Sequence, residues 1–380
     1  MKLFSGSMDR DIYAEGKARV YRTENAFLNP EAKASRDISV GFLNAVGASG
    51  LTCLDATAAT GIRGIRYSLE TKLWGVSFLE INGSSYKELL RNLELNALEP
   101  KTALNTSIQE FANTTKSRFD FIDLDPFGGV TPYIYDLVKI ATDGSYLMVT
   151  ATDTAVLCGA EEKACLRLYG AKPMHNELCH EVGMRILISY IANVAAQFNF
   201  GIRVHLTASY LHYMRAFVEL KRGNKDAMAS ISSMGYAGYC NKCKAGTYDF
   251  GQIPKSSTCR TCGGALQISG RMWLGSICNK SIAESVARNV RDAGAEQKTV
   301  NFIDVVANEL DTPLHYSLPM LTKRMHLGSV SMKTVMDDIM EKGYGVTRTQ
   351  FNKDGIKTDA GIDEVIDSIR KSIGSTAKQN

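Results

Sequence analysis

No stretch of these 380 residues is apolar for long enough to cross a bilayer as a helix. The first residues, Met1-Lys-Leu-Phe-Ser-Gly-Ser7, also lack the apolar centre of a secretory signal. A membrane role is therefore not expected, and the expected setting is the cytoplasm. No segment repeats, which excludes solenoids and propellers. Both common phosphate-cradling strings, G-x-x-x-x-G-K-[ST] and G-x-G-x-x-G, are missing, so P-loop and ordinary dinucleotide-binding readings lack their residues. Charge of one sign is missing too: 44 Lys and Arg against 40 Asp and Glu leave a net +4. The excess is unevenly placed, because residues 210–275 carry 9 basic and 3 acidic side chains. A local positive surface of that kind suits a polyanion, although a solvated lysine-rich region would look the same.

What is present is a chain of 44% apolar and 22% charged residues, with room for two or three domains. The most informative stretch is Phe119-Asp-Phe-Ile-Asp-Leu-Asp-Pro-Phe-Gly-Gly129. Apolar residues alternate with carboxylates until Pro126 stops the pattern. Such a strand delivers Asp123 and Asp125 to the carboxyl edge of a sheet, where open α/β sheets bind ligands. An ordinary strand end with turn chemistry is the competing reading.

Around it, elements alternate. Glu31–Val46 reads as a helix carrying Arg36 early, and Leu51–Asp55 as a buried first strand. Ala56-Thr-Ala-Ala-Thr-Gly-Ile-Arg-Gly64, mostly small residues, leads into a helix over 65–73 and lets the backbone approach a ligand. Trp74–Glu80 is the second strand, its acid 25 residues beyond Asp55, near the distance at which a carboxylate meets ribose hydroxyls. Ser107–Glu110 is read as the end of a weakly written third strand, Phe119–Asp125 as the fourth and Gly144–Asp153 as the fifth. A long helix over 177–198 and a hairpin over 202–210 and 214–221 follow. A parallel sheet finished by an antiparallel hairpin is the arrangement of class I, Rossmann-like methyltransferases. Cys179 and His180, adjacent on that helix, point in different directions and are read as packing residues.

Cys240-x-x-Cys243, fifteen residues, then Cys259-x-x-Cys262 match the spacing of a tetrahedral four-cysteine Zn2+ ribbon. Four thiolates leave no open position, so that metal is structural. Beyond Ser276 come helices over 281–293 and 300–310, a helix-turn-helix over 318–342 and a hairpin over 344–360, a winged-helix-like α+β pattern. A small packing domain is the alternative. The expected division is 1–225, 226–275 and 276–380.

Phe27-Leu-Asn-Pro30, Arg36-Asp37, Ala59-Thr-Gly-Ile-Arg-Gly-Ile-Arg66, Asp123-Leu-Asp-Pro-Phe-Gly128, Thr150-Ala-Thr-Asp153, Glu177-Leu-Cys-His-Glu-Val-Gly183 and Gly355-Ile-Lys-Thr358 together resemble the tRNA guanine-N2 dimethyltransferases, in their archaeal form. That family makes N2,N2-dimethylguanosine at tRNA position 26 from S-adenosyl-L-methionine. The resemblance implies that Arg36, Asp55, Thr60, Gly61, Arg63, Glu80 and Glu110 hold the methyl donor, Glu80 on its ribose. It implies Asp125 as the catalytic carboxylate, with Pro126 and Asp123 beside it, and Phe27 and Phe127 flanking the target base. tRNA is the implied partner, met by a monomer. Two other functions compete: an RNA-binding protein that keeps the scaffold without catalysis, and an amino-methyltransferase acting on DNA. The intact acid-Pro-Phe string argues against the first, and its single proline separates it from the acid-Pro-Pro-aromatic motif of the second.

Overall fold

The computed structural model describes residues 11–376. The N-terminal string read above, the first ten residues of the extension and the last four of the chain lie outside the described residues.

The run of Val, Ile, Leu and Phe in short segments builds a seven-stranded sheet. Its order is Thr102–Leu104, Gly75–Leu79, Thr52–Asp55, Phe119–Leu124, Ala141–Ala151, Tyr213–Arg222, Phe200–Tyr210. The first five strands are parallel and the last two antiparallel, as the hairpin pattern requires. Phe119–Leu124 is fourth of the seven, and its register sets Asp123 opposite Asp55 at the carboxyl end. Order reverses at this point, which opens a crevice beyond the strand ends.

The third strand is displaced from its expected place. Thr102–Leu104 is the strand, and Ser107 instead caps a helix, its hydroxyl accepting the Glu110 N–H at 3.1 Å. A three-residue edge strand is too short to show alternation, whereas Ser107 followed by Glu110 is a helix start signal. The helix after the small-residue loop also begins sooner, at Ile62.

Helix Lys33–Ala45 covers one face of the sheet together with Lys280–Asp292 and Gln297–Asn308, and these share one core that includes Phe42, Phe78, Val286 and Ile303. The boundary expected at 276 therefore runs through a packed unit: those two helices belong to the methyltransferase-like layer. The other face carries the long helix Cys179–Gln197 and, packed on it, the three-stranded sheet Gly246–Phe250, Met234–Cys240, Leu266–Trp273. Met234, Ala237 and Trp273 of that small sheet lie in the same core as Ile186 and Val149. The C-terminal part holds the expected two helices, Leu318–Arg324 and Met332–Glu341, and the hairpin Val346–Thr349 with Asn352–Thr358. A short strand Tyr316–Ser317 and a last helix Ile362–Thr376 complete it.

A buried ion cluster joins this part to the long helix. Lys357 is fully buried, with its Nζ 3.1 Å from Glu181 and 3.3 Å from Glu309. Glu181 also accepts from Arg185 at 3.0 Å, His315 Nδ1 at 3.0 Å and the Leu314 N–H at 2.8 Å. Burial pushes its carboxyl up, but Lys357 and Arg185 outweigh this and hold it well below the usual range. Two of the strings that carry the family resemblance, 177–183 and 355–358, thus meet through Glu181 and Lys357. Removing one partner of such a set leaves a buried charge uncompensated, at a cost of about 3–5 kcal/mol. Lys357→Ala should accordingly lower stability in denaturant melts by about that amount; a loss below about 1 kcal/mol, the level of a surface pair, would contradict the cluster's role.

Candidate active site

Beyond the strand ends lies a cavity of about 660 Å³. Its wall includes Phe27, Ser35, Arg36, Thr60, Arg63, Glu80, Asp125, Pro126, Phe127 and Tyr213. Most of the residues singled out in the sequence therefore converge here, from segments 100 residues and more apart.

Each is placed by its local structure. Asp125 follows the strand Phe119–Leu124; its N–H donates to Thr57 Oγ1 at 2.9 Å, fixing the turn. Its carboxylate pairs with Arg63. Arg63, on the first turn of helix Ile62–Glu70, also donates to Ser39 Oγ at 3.3 Å and lies 3.7 Å from Asp123. Burial pushes the Asp125 carboxyl up, but the Arg63 and Arg215 guanidinium groups prevail and hold it below its ordinary value. Gly128, with φ +82°, makes the next turn; its N–H donates to Thr152 Oγ1 at 2.8 Å while its carbonyl accepts from the Thr152 N–H at 3.1 Å. That clip projects Phe127 outward, 75% exposed, to meet Phe27 edge-to-face with ring centroids 4.6 Å apart. Positive φ suits glycine and no bulky residue, so the Gly128 position is dictated by the turn.

Asp123 does not share this position. It is fully buried beneath the cavity, bound by Arg215 at 2.5 Å and the Tyr67 hydroxyl at 2.5 Å, and is not among the lining residues. Alternation explains the difference: side chains two apart along a strand share a face, but the chain leaves the strand at Asp125 and turns into the crevice. From beneath the cavity Asp123 pairs with both Arg63 and Arg215. Asp55 is likewise buried below the cavity, accepting the Gly64 N–H at 3.0 Å. Gly61 caps the following helix and is also absent from the wall, while its neighbour Thr60 lines it.

Glu80 ends the second strand as expected. Its two oxygens accept N–H groups from Ala59 and Asn82, each at 2.7 Å, which aims the carboxylate into the crevice. Glu110 falls outside: it accepts from the Thr106 hydroxyl at 2.9 Å on the exposed side of its helix, and Ile108 and Gln109 line the cavity in its stead. Arg36 departs from the usual exposed helical arginine. It is 4% exposed and donates twice to Glu15, at 2.7 and 2.6 Å. Glu15 also takes Arg66 at 2.7 Å. Burial pushes the Glu15 carboxyl up, yet Arg36 and Arg66 pull it down to about 2. Glu15 sits on the hairpin Ile12–Glu15 and Ala18–Tyr21, a pairing the sequence reading missed because four-residue strands carry little pattern.

Two more residues, Ser35 and Tyr213, were missed. Ser35 Oγ, Thr60 Oγ1 and Tyr213 Oη are buried at the wall with no hydrogen-bond partner. Buried hydroxyls are nearly always satisfied, so three orphans around one cavity mark where a polar ligand completes them. Only Thr60 had been singled out.

The four ribbon cysteines also converge. Their ligand atoms all lie within 4.8 Å of one another, with Cys240 Sγ 3.5 Å from Cys262 Sγ and Cys243 Sγ 3.4 Å from Cys259 Sγ. Tetrahedral Zn–S bonds of about 2.3 Å set sulfurs about 3.8 Å apart, close to this geometry. None is in a disulfide.

Asp55 supplies a pH test. Burial raises its carboxyl from 3.8 to about 7, reinforced by Asp123. A raised acid favours the protonated folded state, so its contribution is fully present below pH 3.8 and lost as pH rises to about 7. Asp55→Asn should flatten the stability–pH curve across that window relative to the unaltered chain; parallel curves would contradict it.

With this geometry in place, comparison with known proteins is direct. The family profile described as N2,N2-dimethylguanosine tRNA methyltransferase matches residues 8–370. The tRNA (guanine(26)-N(2))-dimethyltransferase of Thermococcus kodakarensis is 35% identical over 350 residues, 88% of this chain and 90% of that protein. The protein of the same name from Methanosphaera stadtmanae is 32% identical, covering 94% and 96%. Among solved structures, Trm1 from Pyrococcus horikoshii in complex with S-adenosyl-L-methionine superposes with a TM-score of 0.86 at 32% identity, over 94% of this chain and 99% of that one. A chain matched along nearly its whole length by this profile and these relatives belongs to the N2,N2-dimethylguanosine tRNA methyltransferase family.

Proposed function

We propose that this chain transfers methyl groups from S-adenosyl-L-methionine to the exocyclic N2 of guanosine 26 in tRNA, with Asp125 as the residue that orients the amine. The observation that carries the reading is Asp125 itself: a charged carboxylate at the wall of the cavity, gripped by Arg63 and followed by an outward-facing aromatic ring.

When bound, S-adenosyl-L-methionine supplies an electrophilic methyl on a sulfonium. The residues present fit it: Glu80 has unused lone pairs for ribose hydroxyls, and the orphan Ser35 and Thr60 hydroxyls stand ready for its polar atoms. Arg36 and Arg63 set the charge of the same wall.

The N2 of guanine is a poor nucleophile because its lone pair is delocalised into the ring. An N–H donating to Asp125 Oδ and the other to the Pro126 carbonyl would hold the nitrogen in line and localise that pair. Positioning and fixed electrostatics do most of this work. Because Arg63 depresses the basicity of Asp125, the carboxylate does not remove a proton from the neutral amine beforehand. It accepts one as the nitrogen becomes cationic and strongly acidic during transfer. Phe27 and Phe127, at the exposed mouth, give a flipped base two ring faces, each worth about 1–3 kcal/mol in stacking.

The metal expected at Cys240, Cys243, Cys259 and Cys262 is Zn2+ in a purely structural role. Its ligands share a core with Leu318, Leu321 and Val335 of the C-terminal part. That part, with two helices and a hairpin, is read as a winged-helix-like surface for the tRNA body. Work on tRNA and reduced cysteines fit a monomeric cytoplasmic enzyme.

Asp125→Asn should reduce methyl transfer about 10²–10⁴-fold while tRNA binding persists. Radiolabel transfer and a filter-binding assay on unmodified tRNA check this together, and near-normal turnover removes Asp125 from the role. Stripping zinc with a chelator should loosen residues 234–273, seen as faster amide exchange there; unchanged protection would argue against a structural ion.

A further inference from the structure

A second group of soft ligands lies apart from both the cavity and the ribbon. Cys158, Cys179 and His180 bring their ligand atoms within 4.8 Å of one another. Cys158 Sγ stands 3.6 Å from His180 Nδ1. All three residues are half-buried. The adjacency of Cys179 and His180 had suggested that the two diverge; the third residue, arriving from another segment, lies within reach of both.

The fold forces this meeting. Cys158 closes the one-turn helix Thr154–Leu157, which follows the fifth strand of the sheet, Ala141–Ala151. Cys179 and His180 open the nineteen-residue helix Cys179–Gln197. The two segments approach at Gly183, one turn along that helix: a Cβ there would stand 3.0 Å from the Leu157 carbonyl oxygen. A Cβ there would be tightly crowded, so glycine suits the close approach, which carries the next residue, Cys158, onto the helix start.

We propose that these three side chains form a second metal site, taking one zinc-class divalent ion through two thiolates and one imidazole. With metal–sulfur bonds of about 2.3 Å and metal–nitrogen bonds of about 2.0–2.1 Å, a tetrahedral ion sets sulfur and nitrogen about 3.6 Å apart, the spacing between Cys158 and His180. Two thiolates neutralise the divalent charge. Binding releases the two thiol protons to solvent, and no electron changes hands. Three protein ligands leave a fourth position for water, unlike the closed four-cysteine ribbon. The ion would staple the end of the strand Ala141–Ala151, and so the Thr150 and Thr152 wall of the cavity, to the long helix.

The test counts metal on the intact chain. Reduced full-length protein, incubated with excess Zn2+ under anaerobic conditions and then desalted, should retain two zinc ions per chain by mass spectrometry. Cys158→Ala and Cys179→Ala should each retain one. In the unaltered chain, Co2+ exchange should give two absorption envelopes, one of four-thiolate type and one shifted as mixed thiolate–imidazole ligation requires. The unaltered-chain measurements do not depend on whether a variant folds. One ion per chain in the unaltered protein, a single four-thiolate spectrum, or two ions retained in both variants would each overturn the site.

Discussion

Arg63 holds the site together. Its guanidinium reaches Asp125 at the cavity wall, Asp123 beneath it and Ser39 on the neighbouring helix. A buried cation of this kind is costly unless paired, and here two carboxylates from one strand end compensate it. The same pairing sets the charge state of Asp125, aims it, and ties the small-residue loop to the central strand. Remove the guanidinium and Asp125 loses its ion-pair partner, while Asp123 keeps Arg215.

A second tier supports the first. Arg215, from the antiparallel hairpin, takes Asp123 at 2.5 Å and Thr150 Oγ1 at 2.5 Å, so the terminal hairpin is coupled to the strand that presents the carboxylate. Glu15 does the same for Arg36 and Arg66 from the N-terminal hairpin. The two arginines that line the cavity, Arg36 and Arg63, are thereby held in part by acids that do not line it. Lys357 and Glu181 extend the scheme to the C-terminal part.

Much of this was legible in the sequence, for identifiable reasons. Strand–helix alternation, the antiparallel finish and the paired Cys-x-x-Cys spacings are local patterns, and apart from the short third strand each appears where its residues predict. Asp125 and Glu80 were read at strand ends and both line the cavity, whereas Phe27 and Phe127 were named only through the family resemblance. The failures share one cause, which is that partners distant in sequence leave no local trace. Glu15 and Tyr213 sit on strands that look ordinary, and Arg36 reads as a solvent-facing helical residue until Glu15 arrives from the preceding hairpin. Asp123 and Asp125 are indistinguishable by spacing; only the point at which the chain leaves the sheet separates the buried anchor from the cavity wall. Cys158 is 21 residues from Cys179, and nothing short of the close approach at Gly183 unites them.

The edge-to-face contact between Phe27 and Phe127 has one more implication. Two rings that touch each other leave no slot between them, so the resting enzyme has its own aromatic lid in place of a base. On the proposed reading, a purine entering between them would exchange one ring–ring contact for two ring–base contacts, a trade whose geometry is strict. An incoming planar ring is thereby favoured over a flexible chain of equal apolarity, and the entrance itself becomes the first filter on what reaches the carboxylate.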